Sequence, residues 1–588
     1  MTEREPWPEC KRDGCIGIQL TISQMCLAHA SDEEQEAALR AIKAGGDVDA
    51  RGVPLDSALL NRILAAVWPD DSPKAVIRFS RFDRATFTGD VRFDNVVFAT
   101  TACFSGATFT GDAVFSGATF TWSAWFDGAS FTGDAVFSGA TVRWDAIFSG
   151  ATFKGDVVFS GAIFRDEARF DSAKFTSAAM FGGARFAHSA RFDGASFTGD
   201  TVFSGATFTR DARFDAANFV GDALFNEVIF RGPASFHGTR FGRARSFGPL
   251  LAHRGLVLDD VQFAQSVEIE ASTTGMCCRR GRFPAGVQFR LRWARVVLDD
   301  TEFPAPSILV GIPRLVNTEL AKREEWFARV WRRLLGDKIT EQPQLVSLRR
   351  ANVAGLGLSN VMMADCRFEG AHNLDMLRLE TRIGFAPAPA PLGRLSWEGR
   401  QVIAEERSWR ADRRHRWGWT TPLWPDWMGE RPSALDPGQI AGVYRALRKG
   451  REDTKDEPGA ADFYYGEMEM RRRARPYYGS ARGRAERGIL TAYWLVSGYG
   501  LRAWRAIAWL AALTALFALE FQTFGFAQPP RPVSYWTSLL YAFRAILSLA
   551  DSTVQLTPWG QLLQGLLRLT GPVLLGLALL ALRGRVKR

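Results

Sequence analysis

Residues 113–137 read AVFSGATFTWSAWFDGASFTGDAVF, and the spacing of phenylalanine in this stretch decides the fold. Its phenylalanines are separated alternately by five and six residues: Phe115, Phe120, Phe126, Phe131 and Phe137. The series extends from Phe79 to Phe247, and Val142 stands at one of its positions. Such a period is typical of a solenoid, in which each repeat buries its apolar face against the next one.

Each unit has the form small–x–Phe. The small residue and the phenylalanine are two residues apart, so both point to the same side of an extended segment. Turn residues such as Ser-Gly and Thr-Gly-Asp stand between the units. The motif Ala-Arg-Phe-Asp recurs at 168–171, 190–193 and 212–215, which is a spacing of 22 residues. We therefore expect a four-sided coil, with two sides of five residues and two of six, that closes every 22 residues.

These repeats resemble the pentapeptide-repeat proteins, in the branch that has Phe in place of Leu at the central position. The resemblance covers at least 79–247 and implies a right-handed quadrilateral β-helix. At about 4.8 Å per coil, this segment should form a rod of roughly 35 Å. The expected fold class is therefore mainly β, with an α-helical juxtamembrane region and two C-terminal transmembrane helices.

The repeat carries a column of arginines, Arg169, Arg191 and Arg213, at the 22-residue spacing. We interpret it as a solvated face neutralised by Asp171, Asp193 and Asp215, and a recognition stripe is the alternative. Residues 79–247 hold 17 Asp+Glu and 16 Lys+Arg. Some relatives of this family mimic DNA with an acidic surface. A surface near neutrality argues against that role, and we expect no nucleic-acid partner.

Four residues near the N-terminus have metal-ligand spacing: Cys10, Cys15, Cys26 and His29. Thiolate and imidazole ligands at such spacing are typical of structural zinc, which would supply folding energy to a segment too short for a core. Four unrelated residues are the alternative. The chain has seven cysteines, an odd number, and no apolar leader in residues 1–10, so we expect a reducing cytoplasm and no disulfide framework.

Composition shifts divide the chain into eight expected segments. They are a zinc-binding N-terminal segment (1–30), a helical cap (31–74), the β-helix (75–305), a helical insertion (306–344), a second pentapeptide coil (345–380), a Pro/Trp/Arg-rich linker (381–436), a juxtamembrane helical hairpin (437–487) and a two-helix transmembrane region with a re-entrant segment (488–588). The hairpin, with YRALRK at 444–449 and ADFYYGEME at 461–469, is similar to one in membrane-bound bacterial pentapeptide-repeat proteins. The resemblance to that group implies no particular biochemical activity for this chain.

Two stretches are long enough to cross a bilayer, 506–526 and 560–582. Each contains one charge, Glu520 in the first and Arg568 in the second. Basic residues precede the first stretch and follow the second, so the positive-inside rule places both termini and the β-helix in the cytoplasm, at a bacterial inner membrane. Glu520 and Arg568 could pair within the chain, with Arg544 as a rival partner, pair across an oligomer, or extend to the outer headgroups.

The function expected from these features is a membrane-anchored scaffold for an unidentified protein partner. The alternative is a non-selective, channel-like pore with a cytoplasmic sensor rod, because a short apolar stretch at 536–549 separates the two spans. No Gly-Tyr-Gly filter follows that stretch. We expect no enzyme, because the sequence offers no nucleophile elbow, phosphate loop or catalytic triad. The expected partners are the lipid bilayer and a protein, structural zinc is the one cofactor considered, and a homo-oligomer is left open.

Overall fold

The computed structural model describes residues 7–68, 74–315, 318–335, 340–380, 384–389, 400–414, 418–474, 481–527, 533–547, 549 and 554–586. The chain forms two compact units, Met1–Gly384 and Phe385–Arg588, which are considered separately. The first unit is a β-solenoid, and the second unit is mainly helical.

Four parallel sheets form the sides of the solenoid, and the chain visits them in the order 1, 2, 3, 4. Sheet 1 contains Asp47–Asp49, Phe79–Arg81, Ala102–Cys103, Ala124–Trp125, Ala146–Ile147, Ala168–Arg169, Ala190–Arg191, Ala212–Arg213, Ala234–Ser235, Leu256–Val257, Gly275–Cys277, Arg295–Val297 and Gln344–Ser347. Sheet 2 contains Pro54–Asp56, Thr86–Thr88, Thr108–Phe109, Ser130–Phe131, Thr152–Phe153, Lys174–Phe175, Ser196–Phe197, Asn218–Phe219, Arg240–Phe241 and Gln262–Phe263.

The other two sides differ in length. Sheet 3 contains Val91–Arg92, Ala113–Val114, Ala135–Val136, Val157–Val158, Ala179–Met180, Thr201–Val202 and Ala223–Leu224. Sheet 4 contains Val76–Ile77, Val97–Phe98, Thr119–Phe120, Thr141–Val142, Ile163–Phe164, Arg185–Phe186, Thr207–Phe208, Ile229–Phe230, Ser246–Ala252, Val267–Thr273, Val287–Arg292, Ser307–Gly311, Leu356–Ser359 and Arg378–Glu380.

The helices of the first unit are α1 (Asp32–Gly45), α2 (Ser57–Ala66) and α3 (Thr318–Leu335), with a 3₁₀ turn at Leu374–Met376. Those of the second unit are α4 (Ala404–Arg414), α5 (Pro437–Asp453), α6 (Glu457–Ala474), α7 (Ala481–Ser497), α8 (Ala503–Glu520), α9 (Tyr535–Ile546) and α10 (Pro558–Val586). A 3₁₀ turn at Asp426–Met428, a π-helical turn at Phe521–Gly525 and an antiparallel pair, Ala386–Pro387 with Gln401–Val402, complete the second unit.

Stacked phenylalanine rings fill the interior, and they confirm the 22-residue coil. The rings of Phe115 and Phe137 are parallel, with centroids 4.8 Å apart. Phe115 and Phe126, eleven residues apart, meet edge to face at 5.5 Å. Ala113 pairs with Ala135 in the same register, and both small residues are fully buried beside the rings. A two-residue strand has too little apolar surface of its own, so each coil depends on its neighbours.

The two kinds of corner have different physical requirements. The five-residue corner contains a residue in the left-handed region, such as Gly128 with φ +65°. At the six-residue corner, a Cβ on Gly133 would lie 2.6 Å from the carbonyl carbon of Gly111 in the preceding coil, so only glycine fits. The next residue forms a ladder, because the amide of Asp134 donates to the carboxylate of Asp112 at 2.9 Å. The Thr-Gly-Asp motif is therefore a stacking device.

The boundaries of the solenoid differ from those expected. We expected residues 31–74 to be a helical cap and the β-helix to begin at 75. Instead, Asp47–Asp49 pairs with Phe79–Arg81 and Pro54–Asp56 pairs with Thr86–Thr88, so the first coil lies between α1 and the main repeat. These strands each bury a single side chain and contain no phenylalanine, so the series could not reveal them.

The expected β-helix (75–305) and second coil (345–380) are one continuous solenoid. Val296 pairs with Leu345 and Leu309 pairs with Leu358, across the chain that contains α3. Later coils are 20 residues long, as the pairing of Leu256 with Met276 shows. Helix α3 is an insertion at one corner of a coil, and the strands before and after it belong to the same solenoid. The insertion interrupts the repeat in the sequence, which is why the two parts were expected to be separate.

Helix α3 covers the outer face of sheet 4. Leu320, Phe327 and Ala328 pack with Ile229 and Leu251 from the strands beneath. The carboxylate of Glu324, fully buried, accepts a hydrogen bond of 2.7 Å from Ser272 and pairs with Arg292 at 3.0 Å. This ion pair and the apolar contacts fix α3 to the solenoid.

In the second unit, α5 and α6 form the expected hairpin, and Asp436 caps α5 together with Gln439. Two segments are long and apolar enough to cross a membrane by length and composition, Ala503–Gly525 and Pro558–Ala581. Helix α9 has twelve residues and packs against both, through Tyr541, Ala545 and Ile546.

Candidate metal centre and interaction surfaces

The structure brings together the four N-terminal residues that the spacing singled out. The ligand atoms of Cys10, Cys15, Cys26 and His29 all lie within 4.8 Å of one another. The Cys26 sulfur is 3.4 Å from His29 Nδ1 and 3.8 Å from the Cys15 sulfur. Three sulfurs and one imidazole nitrogen at this separation form a cluster that could hold a metal, and the donor set is one that zinc takes tetrahedrally.

Short turns build this cluster. The amide of Cys10 donates to the carbonyl of Gly17 at 2.7 Å, and the amide of His29 donates to Cys26 at 3.0 Å. Gly17 is required at its position, because a Cβ there would lie 2.9 Å from the Cβ of Cys26. Backbone amides also point at sulfur, from Gly17 to Cys15 at 3.4 Å and from Cys26 to Cys10 at 3.3 Å. Such donors stabilise thiolate ligands.

The ionisable groups of the cluster lie close enough to shift one another's pKa. Burial and the neighbouring Cys15 raise the pKa of Cys26 to about 12. Burial opposes ionisation of Cys10, but hydrogen bonds from the backbone of Arg12 and Cys26 outweigh it and lower its pKa. Burial, and secondly the charge of Arg12, lower the pKa of His29 and keep the ring neutral. A divalent cation would compensate these costs by binding thiolates and a neutral imidazole.

The cluster sits against the first coil of the solenoid. The amide of Ile18 donates to the carbonyl of Arg51 at 2.8 Å. A Cβ on Gly52 would lie 2.4 Å from the carbonyl oxygen of Ile16, so the two backbones are in close contact. The guanidinium of Arg51 lies over the ring of Trp7, 5.2 Å from its centroid. The segment that contains the cluster therefore covers the N-terminal end of the β-helix.

The outward face of sheet 3 carries an unbroken apolar column. Six side chains stand in register on successive coils: Val114, Val136, Val158, Met180, Val202 and Leu224. Met180 is 39% exposed and Leu224 is 37% exposed. The preference of β-branched residues for strands accounts for valine but for neither methionine nor leucine. We name this set the apolar column.

The equivalent positions on sheet 2 are polar from Thr86 to Gln262, and those on sheets 1 and 4 mix polar and apolar residues. Sheet 1 has Arg169, Arg191 and Arg213 in adjacent register, which confirms the expected arginine column. Arg191 pairs with Asp171 at 3.2 Å and Arg213 pairs with Asp193 at 3.2 Å, so acidic neighbours neutralise it. The spacing of phenylalanine did not reveal the apolar column, whose side chains carry no charge and form no ion pairs.

An acidic column runs along one edge of the apolar column. It consists of the ladder aspartates at the six-residue corners, Asp90, Asp112, Asp134, Asp156, Asp200 and Asp222. Ala178 takes the ladder position between Asp156 and Asp200. Each ladder contact uses Oδ1, as in the donation from the amide of Asp222 to Asp200 at 2.9 Å. Small residues border the other edge, among them Ser138, Ser160 and Ser204. The surface is thus apolar at its centre and acidic on one side.

A buried charge cluster in the second unit was also missed. Glu406, fully buried, accepts hydrogen bonds from Arg400, from Arg410 at 2.6 Å and from Tyr444 at 2.6 Å. Glu469 accepts from Arg410, Arg472, Arg473 and Tyr499. The available signal was the spacing of Glu469 from Arg472 and Arg473, three and four residues later on one helix. Arg410 bridges the two carboxylates and joins α4 to α6.

The two charges in the apolar spans do not pair within the chain. Within the part of the chain that the structure describes, Glu520 makes no ion pair with Arg568 or with Arg544. Arg568 and Arg544 are exposed, and Glu520 is half-buried.

Comparison with known families gives one match. The family described as "Pentapeptide repeats (9 copies)" matches residues 74–119, 115–163, 148–196 and 192–240. Together these matches span residues 74–240 of the β-solenoid. A search of the curated proteins and a search of the solved structures each gave no significant match.

The pentapeptide repeats include the whole apolar column and the whole acidic column. The match ends at 240, close to the point where sheet 3 ends with Ala223–Leu224, and the later 20-residue coils lie beyond it. The pentapeptide-repeat solenoid is a structural repeat fold, and such a fold supports a role in protein interaction.

Proposed function

We propose that the chain is a membrane-anchored scaffold, on the cytoplasmic side of a bacterial inner membrane, whose solenoid binds a protein partner. The observation that carries this proposal is the apolar column on sheet 3. Five steps of about 4.8 Å make it about 24 Å long, comparable with a partner helix of about 16 residues. A contiguous, partly exposed apolar strip on a rigid repeat is typical of an interaction site.

The chemistry of the surface indicates the partner. The apolar column would contact an apolar row of the partner, and the aspartates along its edge, such as Asp156 and Asp200, would attract Lys or Arg flanking that row. The partner would therefore be an amphipathic segment with one apolar face and a basic edge. Asp134 and its equivalents retain a carboxylate oxygen that the ladder contact does not use.

The membrane part of the proposal rests on the two apolar segments and their flanking charges. Arg502 and Arg505 precede or begin α8, and Arg482, Arg484 and Arg487 lie in α7 before it. Positive charge there favours a cytoplasmic location for both termini. Reporter fusions at Arg588 and within 31–68 should report cytoplasm, and a fusion at Pro530 should report the outside. An exported N-terminus would contradict this topology.

The N-terminal cluster, in the same proposal, holds structural zinc. Its support is the convergence of three sulfurs and one imidazole with amide donors to two of the sulfurs. Zinc would fix residues 7–30 against the first coil and cover the end of the solenoid, which would otherwise expose strand edges.

Cross-linking of the full-length protein in membranes, followed by pull-down, tests the scaffold. The double variant Val158→Lys/Met180→Lys places two cations in the apolar column. The matched control is Ile147→Lys/Ile163→Lys, which makes the same change at outward positions of sheets 1 and 4. We expect the partner to be lost only from the first variant, while both keep the melting temperature of the parent. Equal recovery from both variants would contradict the assignment of the surface.

The alternative is a pore, favoured by the position of α9 between the two spans and in contact with both. Part of the segment that would follow a pore helix, 551–553, lies outside the described residues. Electrical recording of reconstituted protein distinguishes the two functions. Discrete conductance in the parent that disappears when α9 is altered would favour the pore.

A further inference from the structure

Apart from Arg505 at the inner end of the first segment, Glu520 and Arg568 are the charges inside the two apolar segments, and the structure gives neither a partner. Across the described residues, no hydrogen bond or ion pair involves either side chain. Arg568 is exposed and Glu520 is half-buried on the outside of the packed α8–α9–α10 unit. A charge facing hydrocarbon is costly, and intramembrane charges in proteins almost always face a partner or a water-filled cavity.

The outer ends of the two spans lie level with each other. The amide of Thr557 donates to the carbonyl of Gly525 at 3.0 Å, and Phe526 forms a β-bridge with Leu556. Glu520 is five residues from Gly525, and Arg568 is ten residues from Pro558. At 1.5 Å per residue, they lie about 8 Å and about 15 Å from the outer ends.

The directions of the two side chains reduce this difference in depth. Cα–Cβ bonds tilt toward the N-terminus of their helix. The N-terminus of α10 is its outer end, so Arg568 tilts outward, whereas the N-terminus of α8 is its inner end, so Glu520 tilts inward. The two charges are therefore brought toward one level of the bilayer.

Extension to the headgroups is a poor solution for Arg568. It lies within two residues of the middle of Pro558–Ala581. Its guanidinium would have to cross nearly half of a hydrocarbon core that is about 30 Å thick. A carboxylate at matching depth on a neighbouring chain would neutralise it directly.

We propose that the chain forms a homo-oligomer in the membrane, in which Glu520 of one copy pairs with Arg568 of the next. The proposed partner is a second copy because the surface of this helical unit carries both members of a complementary charge pair. Neither member pairs within its own chain. The inference rests on the membrane anchoring proposed above, since the cost of an unpaired charge at this depth exists only in hydrocarbon.

Disulfide cross-linking tests the pairing in native membranes. Two full-length chains with different tags are co-expressed, one with Glu520→Cys and the other with Arg568→Cys, and mild oxidation is applied. We expect a disulfide that joins the two tags. The matched control replaces Glu520→Cys by Trp509→Cys, an exposed position on the same helix near the opposite end of the span, and should give none. The parent pair reports any contribution of the native cysteines.

Charge exchange provides a second measurement that does not depend on cysteine. Glu520→Arg should reduce co-purification of the differently tagged chain about tenfold, equivalent to about 1.4 kcal/mol, and adding Arg568→Glu should restore it. A cross-tag disulfide absent from chains that are in the membrane, or a double variant no better than the single one, overturns the inference. Recovery of the chain in the soluble fraction would instead contradict the membrane anchoring itself.

Discussion

Tyr499 donates a hydrogen bond of 3.0 Å to the carboxylate of Glu469. Tyr499 lies in the turn between α7 and α8, at the start of the first apolar span, and Glu469 lies in the hairpin helix α6. Arg472 donates to both residues, at 2.9 Å to Glu469 and at 3.1 Å to the Tyr499 hydroxyl. The base of the span is thus joined to the hairpin by one buried carboxylate.

Glu469→Gln should destabilise this junction strongly. Burial alone would raise the pKa of Glu469, but Arg473, Arg472 and Arg410 hold it well below its usual range. Replacing the carboxylate leaves three guanidinium groups around a neutral amide, and breaking such a buried pair costs about 3–5 kcal/mol. Tyr499→Phe removes one charge-assisted bond and should cost about 1.5–3 kcal/mol. Thermal unfolding in detergent measures both, and Arg484→Gln, at an exposed side chain of α7, is the control.

The pH dependence of the same group has a defined sign. A carboxylate whose folded pKa is depressed stabilises the fold above its unfolded pKa of about 4.3 and loses that contribution as the pH falls below it. The parent should therefore lose thermal stability on acidification below about pH 4, and Glu469→Gln should lose less. An identical decrease in the two proteins would contradict the assigned role.

Val142→Phe should stabilise the solenoid. Val142 lies in register between Phe120 and Phe164, in a column whose other inward members near it are stacked rings. A ring there would extend the stack, with an expected gain of about 1 kcal/mol. Phe137→Ala, in contrast, removes a ring stacked on Phe115 and Phe159 and should cost about 3–5 kcal/mol. Melting followed by circular dichroism reports both changes, and a loss of stability in Val142→Phe would mean that no space exists.

Removal of metal should release the N-terminal segment. We expect about one zinc per chain in purified protein, and Cys26→Ser should abolish it and expose residues 7–30 to protease. Cys103→Ser, at a half-buried cysteine on sheet 1, is the control and should keep the metal. His29→Cys retains a ligand set that zinc accepts and should also keep it. Protein prepared under reducing conditions with no bound zinc would contradict the site.

Docking of α3 should weaken at mildly acidic pH. His253 contacts Phe327 of α3, and burial lowers the pKa of His253 to about 4, with smaller effects from Arg231 and Arg254. Between about pH 6.5 and pH 4 the unfolded state binds the proton more readily, so stability falls as the pH falls. The ring is half-buried, so after solvent screening we expect about 1 kcal/mol. Fluorescence of the α3 tryptophans against pH measures the change, and it should be smaller in His253→Gln.

Several features could be read from the sequence because each is local or strictly periodic. The alternating spacing of five and six residues determines which side chains point inward. The recurrence of the same motifs every 22 residues determines which of these side chains stack. For the same reason, the register of Arg169, Arg191 and Arg213 was predictable. The convergence of Cys10, Cys15, Cys26 and His29 was predictable because all four lie within one segment of 20 residues, 10–29.

Other features depend on contacts between residues remote in sequence, and they became visible in the folded structure alone. The pairing of Val296 with Leu345 closes the coil across α3. No local sequence pattern shows which strand continues a sheet after such an insertion. The burial of Glu406 and Glu469 follows from the packing of α4, α6 and the turn at Tyr499. The local sequence around a helical glutamate does not show whether its carboxylate faces water or three arginines. The period of a repeat is a property of the chain, whereas the neighbours of a charge are a property of the fold.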